Sequence, residues 1–262
     1  MKPGIVCPNP LGAELGDCAR AAEAGAKAIV ARPGLFVDDS FALRVDPETI
    51  QATLSGAGLE IAALWVDRPL MGEGGDESAG SERIRSSLDL ADALRDSASP
   101  EALPVVVFDA GSGSRVEIWP KLVEAVKALA ADAEERQTVL AVRPHRGSLV
   151  DRARNAVKLL GEVGSSYVQV ALDAAATVGD KDTLDDAVER LKDNIVLAFA
   201  RDVKFDDAGN HSYLPPGKGV MNFDVYVDLL GGAPGCGALV VGEFDSADDA
   251  TAALKQVVRS IG

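Results

Sequence analysis

Arginine is the residue whose placement in this sequence is most suggestive of chemistry. Arg32, Arg143 and Arg201 each stand just past a short apolar run, and Lys204 and Lys218 follow the last of them. The chain carries 41 acidic residues against 26 basic ones and a formal net charge of −15. Cations gathered at equivalent positions of an acidic body make a positive throat, and guanidinium groups grip carboxylates and phosphates through paired N–H donors. The chemistry this implies is recognition of a small anion, such as a sugar phosphate or a carboxylate. The competing reading is that the arginines pair with Asp67, Asp109, Asp173 and Asp202, acids found at the same kind of position. Cys7, Asn9, Trp65, His145, Phe199 and Glu243 also stand at run ends. Trp65 has a face for a sugar ring or a bulk to fill the interior. His145 is suited either to substrate contact or to a solvated rim, and His211, the only other histidine, reads as a solvated loop residue.

The elements that must position these residues are legible as a rhythm. Strand-length apolar runs at Gly4–Cys7, Ala26–Ala31, Leu59–Val66, Leu103–Phe108, Thr138–Val142, Tyr167–Leu172, Ile195–Ala200 and Ala238–Gly242 alternate with helix-period stretches. Most are continuous rather than alternating, as parallel strands covered on both faces are. Helix starts are expected at Asp46-Pro47, at Asp182-Thr183 and at Ser246, with two more at Ser81 and Ser148. Gly25, Gly58 and Gly164 stand where helices should stop. The segment Leu149–Val163 reads as a helix with an apolar stripe at Val150, Ala153, Val157, Leu160 and Val163. Eight βα units in 262 residues predict an α/β fold, a single (β/α)8 barrel over residues 1–262. A doubly wound sheet is the alternative, but the glycine-rich fingerprint after the first strand is missing. Gly111-Ser112-Gly113 has no third glycine. The long loops Asp67–Gly80 and Asp202–Asn222 then belong to the C-terminal rim, where such barrels keep their sites.

Composition limits the partners. Hydrophobic residues make up 47% and charged residues 26%, the balance of a soluble globular chain. The acidic excess argues against nucleic acid. No run approaches a membrane span, and the opening MKPGIVCPNPLG lacks a signal-peptide core, so a cytoplasmic protein is expected. Cys7, Cys18 and Cys236 are too few and scattered for a disulfide framework or cysteine-rich zinc site. The expected partner is a small anionic or sugar-like ligand, and a homo-oligomer is left open.

The second half also resembles a known family. The segments VLAVRPHRGSLV (139–150), VALDAAAT (170–177), IVLAFARDVK (195–204), PPGKGVMNF (215–223) and LVVGE (239–243) are similar, in order and spacing, to motifs of the xylose isomerase-like barrels. That family includes sugar phosphate isomerases and epimerases, tagatose epimerases and type IV AP endonucleases. The resemblance implies a metal-assisted proton shuttle, with one divalent ion held by Glu, Asp or His, His and Glu at the ends of strands five to eight. Here those positions fall on Arg143, Asp173, Phe199 and Gly242, and the histidine near the strand-six acid falls on Ala176. One carboxylate out of four does not hold a divalent ion, so neither metal nor other cofactor is expected. Two histidines cannot furnish the zinc-rich endonuclease site. The implied site has Asp173 and Arg143 as catalytic residues, with Asp173 pairing with Arg143 or acting as a base. His145, Arg32, Trp65, Arg201, Lys204 and Lys218 are the expected ligand-binding residues. A non-catalytic relative that only binds a ligand or partner is the alternative.

Overall fold

The computed structural model describes residues 1–7, 14–95, 104–178, 183–242 and 246–262. Eight parallel strands, β1 (Lys2–Cys7), β2 (Ala28–Ala31), β3 (Glu60–Trp65), β4 (Val105–Phe108), β5 (Val139–Val142), β6 (Val168–Leu172), β7 (Ile195–Ala200) and β8 (Ala238–Val241), close into a barrel. Each strand pairs with its successor, and β8 returns to β1 with Val241 opposite Ile5. Around them lie α1 (Cys18–Glu23), α2 (Pro47–Gly56), α3 (Ser78–Ala93), α4 (Arg115–Glu135), α5 (Ala153–Val163), α6 (Leu184–Leu191), α7 (Phe223–Gly231) and α8 (Ala247–Ile261). The expected single barrel is the observed one.

Continuous apolar strands follow from burial on both faces. Val6, Val30, Trp65, Val107, Ala141, Ala171, Leu197, Phe199 and Val240 pack together inside the barrel. Their neighbours in sequence, such as Ile5, Ile29, Leu64, Val106, Leu140, Val170 and Leu239, pack in the layer against the helices. Side chains two residues apart on a strand share a face. The residues two beyond inward-facing Val30, Val107, Ala141, Ala171, Phe199 and Val240 are Arg32, Asp109, Arg143, Asp173, Arg201 and Gly242. The alternation that fills the barrel thus delivers the charged residues to its mouth.

Local signals fared unevenly. Asp46 and Ser246 cap α2 and α8 by accepting from Thr49 N and Asp249 N. Helix α6 is capped by Thr183, and Asp182 lies outside the described residues. Ser81 is inside α3 rather than at its start. Ser148 belongs to a turn, because α5 begins only at Ala153, behind Arg152 and with no side-chain cap. Of the expected stripe, Val150 and Ala153 are buried and Leu160 and Val163 pack half-buried against the core, whereas Val157 is 42% exposed and Ala156 and Leu159 are buried instead.

Both long loops are fastened to the rim. The first runs beside the end of β4, with Leu70 N donating to Asp109 O at 2.8 Å, and brings α3 against its own start. The second forms an antiparallel hairpin, 202–205 with 211–214. Asp202 closes its base: the buried carboxylate accepts from Val203 N (2.7 Å), Gly219 N (2.8 Å) and Met221 N (2.9 Å). Asp202 is therefore a backbone clamp and not a partner of the arginines. Among the described residues no helix is long and apolar enough to cross a membrane.

Gly80 tests how tightly the first loop is seated. Helix propensity alone favours alanine there by about 1 kcal/mol. A Cβ at Gly80, however, would stand 2.2 Å from Leu70 O and 2.5 Å from Pro69 O, both backbone atoms. The clash should win, and Gly80→Ala is expected to destabilise the protein by about 1–3 kcal/mol in urea unfolding.

Candidate functional site

Asp173 is the centre of the cluster at the barrel mouth. It follows β6, caps the short turn 174–177 through Ala176 N (3.3 Å), and is completely buried. Arg143, from the end of β5, donates to Asp173 Oδ2 through Nε (3.2 Å) and Nη2 (3.1 Å). Arg201, from the end of β7, donates to Oδ1 through Nε (3.0 Å) and to Oδ2 through Nη2. Both carboxylate oxygens are thus occupied. Burial pushes the carboxyl up, and Arg201 and Arg143 more than reverse this, holding Asp173 below the ordinary carboxylate range.

Arg143 also reaches sideways. Its Nη1 donates to Asp109 Oδ1 at 3.2 Å, and the same oxygen lies 3.5 Å from His145 Nε2. Beneath the cations lies an aromatic floor: Trp65 and Phe199 have ring centroids 5.2 Å apart. Arg32 Cζ sits 3.7 Å and Arg143 Cζ 4.4 Å from the Trp65 ring centre. Arg201 is covered from the hairpin by Tyr213, with Cζ 3.5 Å from the ring centre. Such stacking holds guanidinium groups while keeping their edges for acceptors.

Of the residues expected to bind ligand, the fold brings Arg32, Trp65, Arg143, His145, Asp173 and Arg201 together. Trp65 is nearly buried beneath arginines, so it supports them instead of offering its own face to a sugar. Lys204 and Lys218 are exposed on the hairpin and the turn after it, and neither forms an ion pair with a described residue. Asp67 is turned away to a two-pronged pair with Arg83 (2.9 and 2.8 Å). Asn9 and Glu243 lie outside the described residues. Sequence reasoning placed Asp109 among the rim acids without joining it to His145, and missed Tyr213 altogether. A tyrosine in the middle of a polar loop carries no periodic signal; only the hairpin pairing sets it over Arg201.

The comparisons agree with this architecture. The family model described as xylose isomerase-like TIM barrel matches residues 18–261, so the chain belongs to that family. No curated protein sequence matches significantly. Among solved structures, the chain is similar to the apo form of 3-keto-D-glucoside 4-epimerase from E. coli, with a TM-score of 0.78, 16% identity, and coverage of 99% and 98% of the two chains. It is also similar to D-psicose 3-epimerase with D-tagatose from Clostridium cellulolyticum H10, at TM-score 0.77, 15% identity and coverage of 100% and 99%. A xylose isomerase-like TIM barrel protein from Mycobacterium smegmatis in complex with magnesium matches at TM-score 0.67 and 15% identity, covering 95% and 89%.

The side chains at the positions that the resemblance assigns to a metal do not fit one. Arg143 brings a cation, Phe199 a hydrocarbon ring and Gly242 no side chain, and Asp173 is engaged by two guanidinium groups. Gly242 lies beside the stem of Arg201, where a Cβ would make an ordinary contact at 3.5 Å from Cδ. Among the described residues, no three His, Cys, Asp or Glu side chains converge as a metal site.

Asp173 also links stability to pH. A carboxyl held low in the folded state stabilises it above the unfolded group's titration, and that contribution disappears as pH falls through the folded value. Asp173→Asn removes the carboxylate that buried Arg143 and half-buried Arg201 share, and about 3–5 kcal/mol of stability should be lost near neutrality. In acid the gap between variant and wild type should narrow. Denaturant melts at a series of pH values measure both effects.

Proposed function

We propose that this protein is an isomerase/epimerase-like barrel that binds a small sugar phosphate or other anionic polyol at its C-terminal rim, without the family's divalent metal. The observation that carries the reading is the gathering of Arg143 and Arg201 on Asp173, with Arg32 beside Arg143 over Trp65, at the mouth of a chain of charge −15. Asp173 pairs with Arg143 and Arg201, and Asp109 with Arg143. A cation at the Arg143 position opposes a second one: at about 4 Å and an effective dielectric of about 20, repulsion is about 4 kcal/mol per unit-charge pair, and double for a divalent ion.

In this site Arg143 has the fixed positive charge that orients and polarises a ligand oxygen. Asp173, reached by two arginines, is better suited to positioning them than to taking a proton. The sugar epimerases among the structural neighbours make a sugar-like ligand the first class to test. The saturation of Asp173 favours the second reading as well, a relative that binds such a ligand without turning it over.

A thermal-shift series separates these readings. Sugar phosphates and sugar acids should raise the melting temperature while their neutral parent sugars do not, and chelation by EDTA should leave the shifts unchanged. Arg32→Met should weaken binding about 10- to 100-fold, the scale of one lost charge-assisted hydrogen bond. Stabilisation by neutral sugars alone, or only when a divalent metal is added, would refute the anion reading. Turnover of a stabilising compound would show catalysis, and tight binding with none would favour the binding relative.

A further inference from the structure

An unpaired hydrogen-bond donor, the indole N–H of Trp65, lies among the arginines of the barrel mouth. Trp65 Nε1 is the only buried side-chain nitrogen or oxygen among the described residues that lacks a hydrogen-bond partner. The other tryptophan, Trp119, is almost as buried, yet its Nε1 donates to Glu162 Oε2 at 2.6 Å. A buried indole N–H ordinarily finds an acceptor, because one without it has lost its hydration and gained nothing in return.

The place of this orphan donor says what it could serve. The Trp65 ring faces into the barrel from the end of β3, with Arg32 Cζ 3.7 Å and Arg143 Cζ 4.4 Å from its centre. The N–H is therefore within one indole's width of both guanidinium groups. Nothing close by has accepting capacity to spare. Both oxygens of Asp173 are taken by Arg143 and Arg201, the Val66 carbonyl receives Arg32 Nη1 at 3.3 Å, and the neighbouring Phe199 is hydrocarbon. Tryptophan and arginine side chains only donate, so a hydroxyl bound here would bring a hydrogen with no acceptor to take it. A carboxylate, sulfate or phosphate oxygen accepts without that cost. Arg143 is buried and paired with Asp173 and Asp109, whereas Arg32 is half-buried, so Arg32 is the cover more easily lifted from the ring.

We propose that Trp65 Nε1 is a binding donor for the terminal oxyanion of the ligand. Arg32 lifts from the indole, the anion enters charge-first, and one of its oxygens accepts from Nε1 while Arg32 and Arg143 hold the charge. The polyol end then faces the rim. Trp65 becomes a specificity-determining residue, favouring an anion at the end of a chain over one embedded within it. The proposal rests on the reading of the mouth as an anion site and adds the orientation of the ligand.

Sulfate is the probe, because its oxygens only accept near neutral pH. In a Trp119→Phe background Trp65 is the sole tryptophan, and nitrogen-15 labelling of indole gives a single N–H resonance. Without sulfate that resonance should lie upfield, as for an indole hydrogen with no acceptor. Sulfate should move it downfield, with the midpoint that calorimetry gives for binding. A second arm places β-(3-benzothienyl)alanine at position 65 alone, which keeps the fused ring and removes the N–H. Sulfate affinity should then fall about tenfold, the scale of one hydrogen bond to a charged group, while the free protein melts no lower. A resonance already downfield without sulfate, one that stays in place as sulfate binds, or full affinity in the benzothienyl protein would overturn the role of Trp65 and leave the anion reading standing. If neither sulfate nor any sugar phosphate binds, the anion reading fails and this proposal falls with it.

Discussion

The salt-bridge cluster around Asp173 is the interaction on which the barrel mouth depends. A lone carboxylate in a buried position is costly, and the remedy is close cations with well-directed N–H groups. Arg143 and Arg201 provide them from the strands on either side, so β5, β6 and β7 are tied together at the end where their backbone pairing stops. The arrangement fixes the guanidinium planes, and the planes fix the rest. Trp65 and Phe199 lie beneath Arg143, Tyr213 covers Arg201, and Asp109 is drawn in by the remaining arm of Arg143.

The residues at the positions that the resemblance assigns to a metal are mutually consistent. Arginine in place of one ligand requires a neighbouring acid, and Asp173 is there. A ring at Phe199 suits a cation above it. The hairpin that delivers Tyr213 is anchored by Asp202, whose three backbone contacts make the loop part of the rim. On the reading proposed here, the set replaces a metal centre by a guanidinium centre in an otherwise ordinary barrel.

The fold was legible in the sequence because burial on both sides of a parallel strand leaves an uninterrupted apolar run, and eight such runs with helical stretches between them have few other solutions. The site was legible as far as strand geometry reaches. Arg32, Arg143, Asp173 and Arg201 sit in the throat because each lies two residues beyond an inward-facing neighbour. What escaped was set by contacts outside any strand period. Asp202 looked like a rim acid, but backbone amides from a returning loop claim it; Asp67 looked like another and is held by Arg83 from α3. Lys204 shares its segment with Arg201, yet the hairpin carries it to the surface. The start of α5 escaped for a related reason, since nothing in the sequence reveals that residues 143–152 stay irregular before the helix begins.

The central proposal is that a guanidinium cluster occupies the place that the resemblance assigns to a metal ion. The most direct measurement is a crystal structure of the protein grown or soaked with excess manganese, with anomalous data collected at the manganese edge. The account predicts no anomalous peak between the ends of β5 to β8, and both Arg143 and Arg201 hydrogen-bonded to Asp173. A manganese peak bound to Asp173, with Arg143 swung away from the throat, would contradict it.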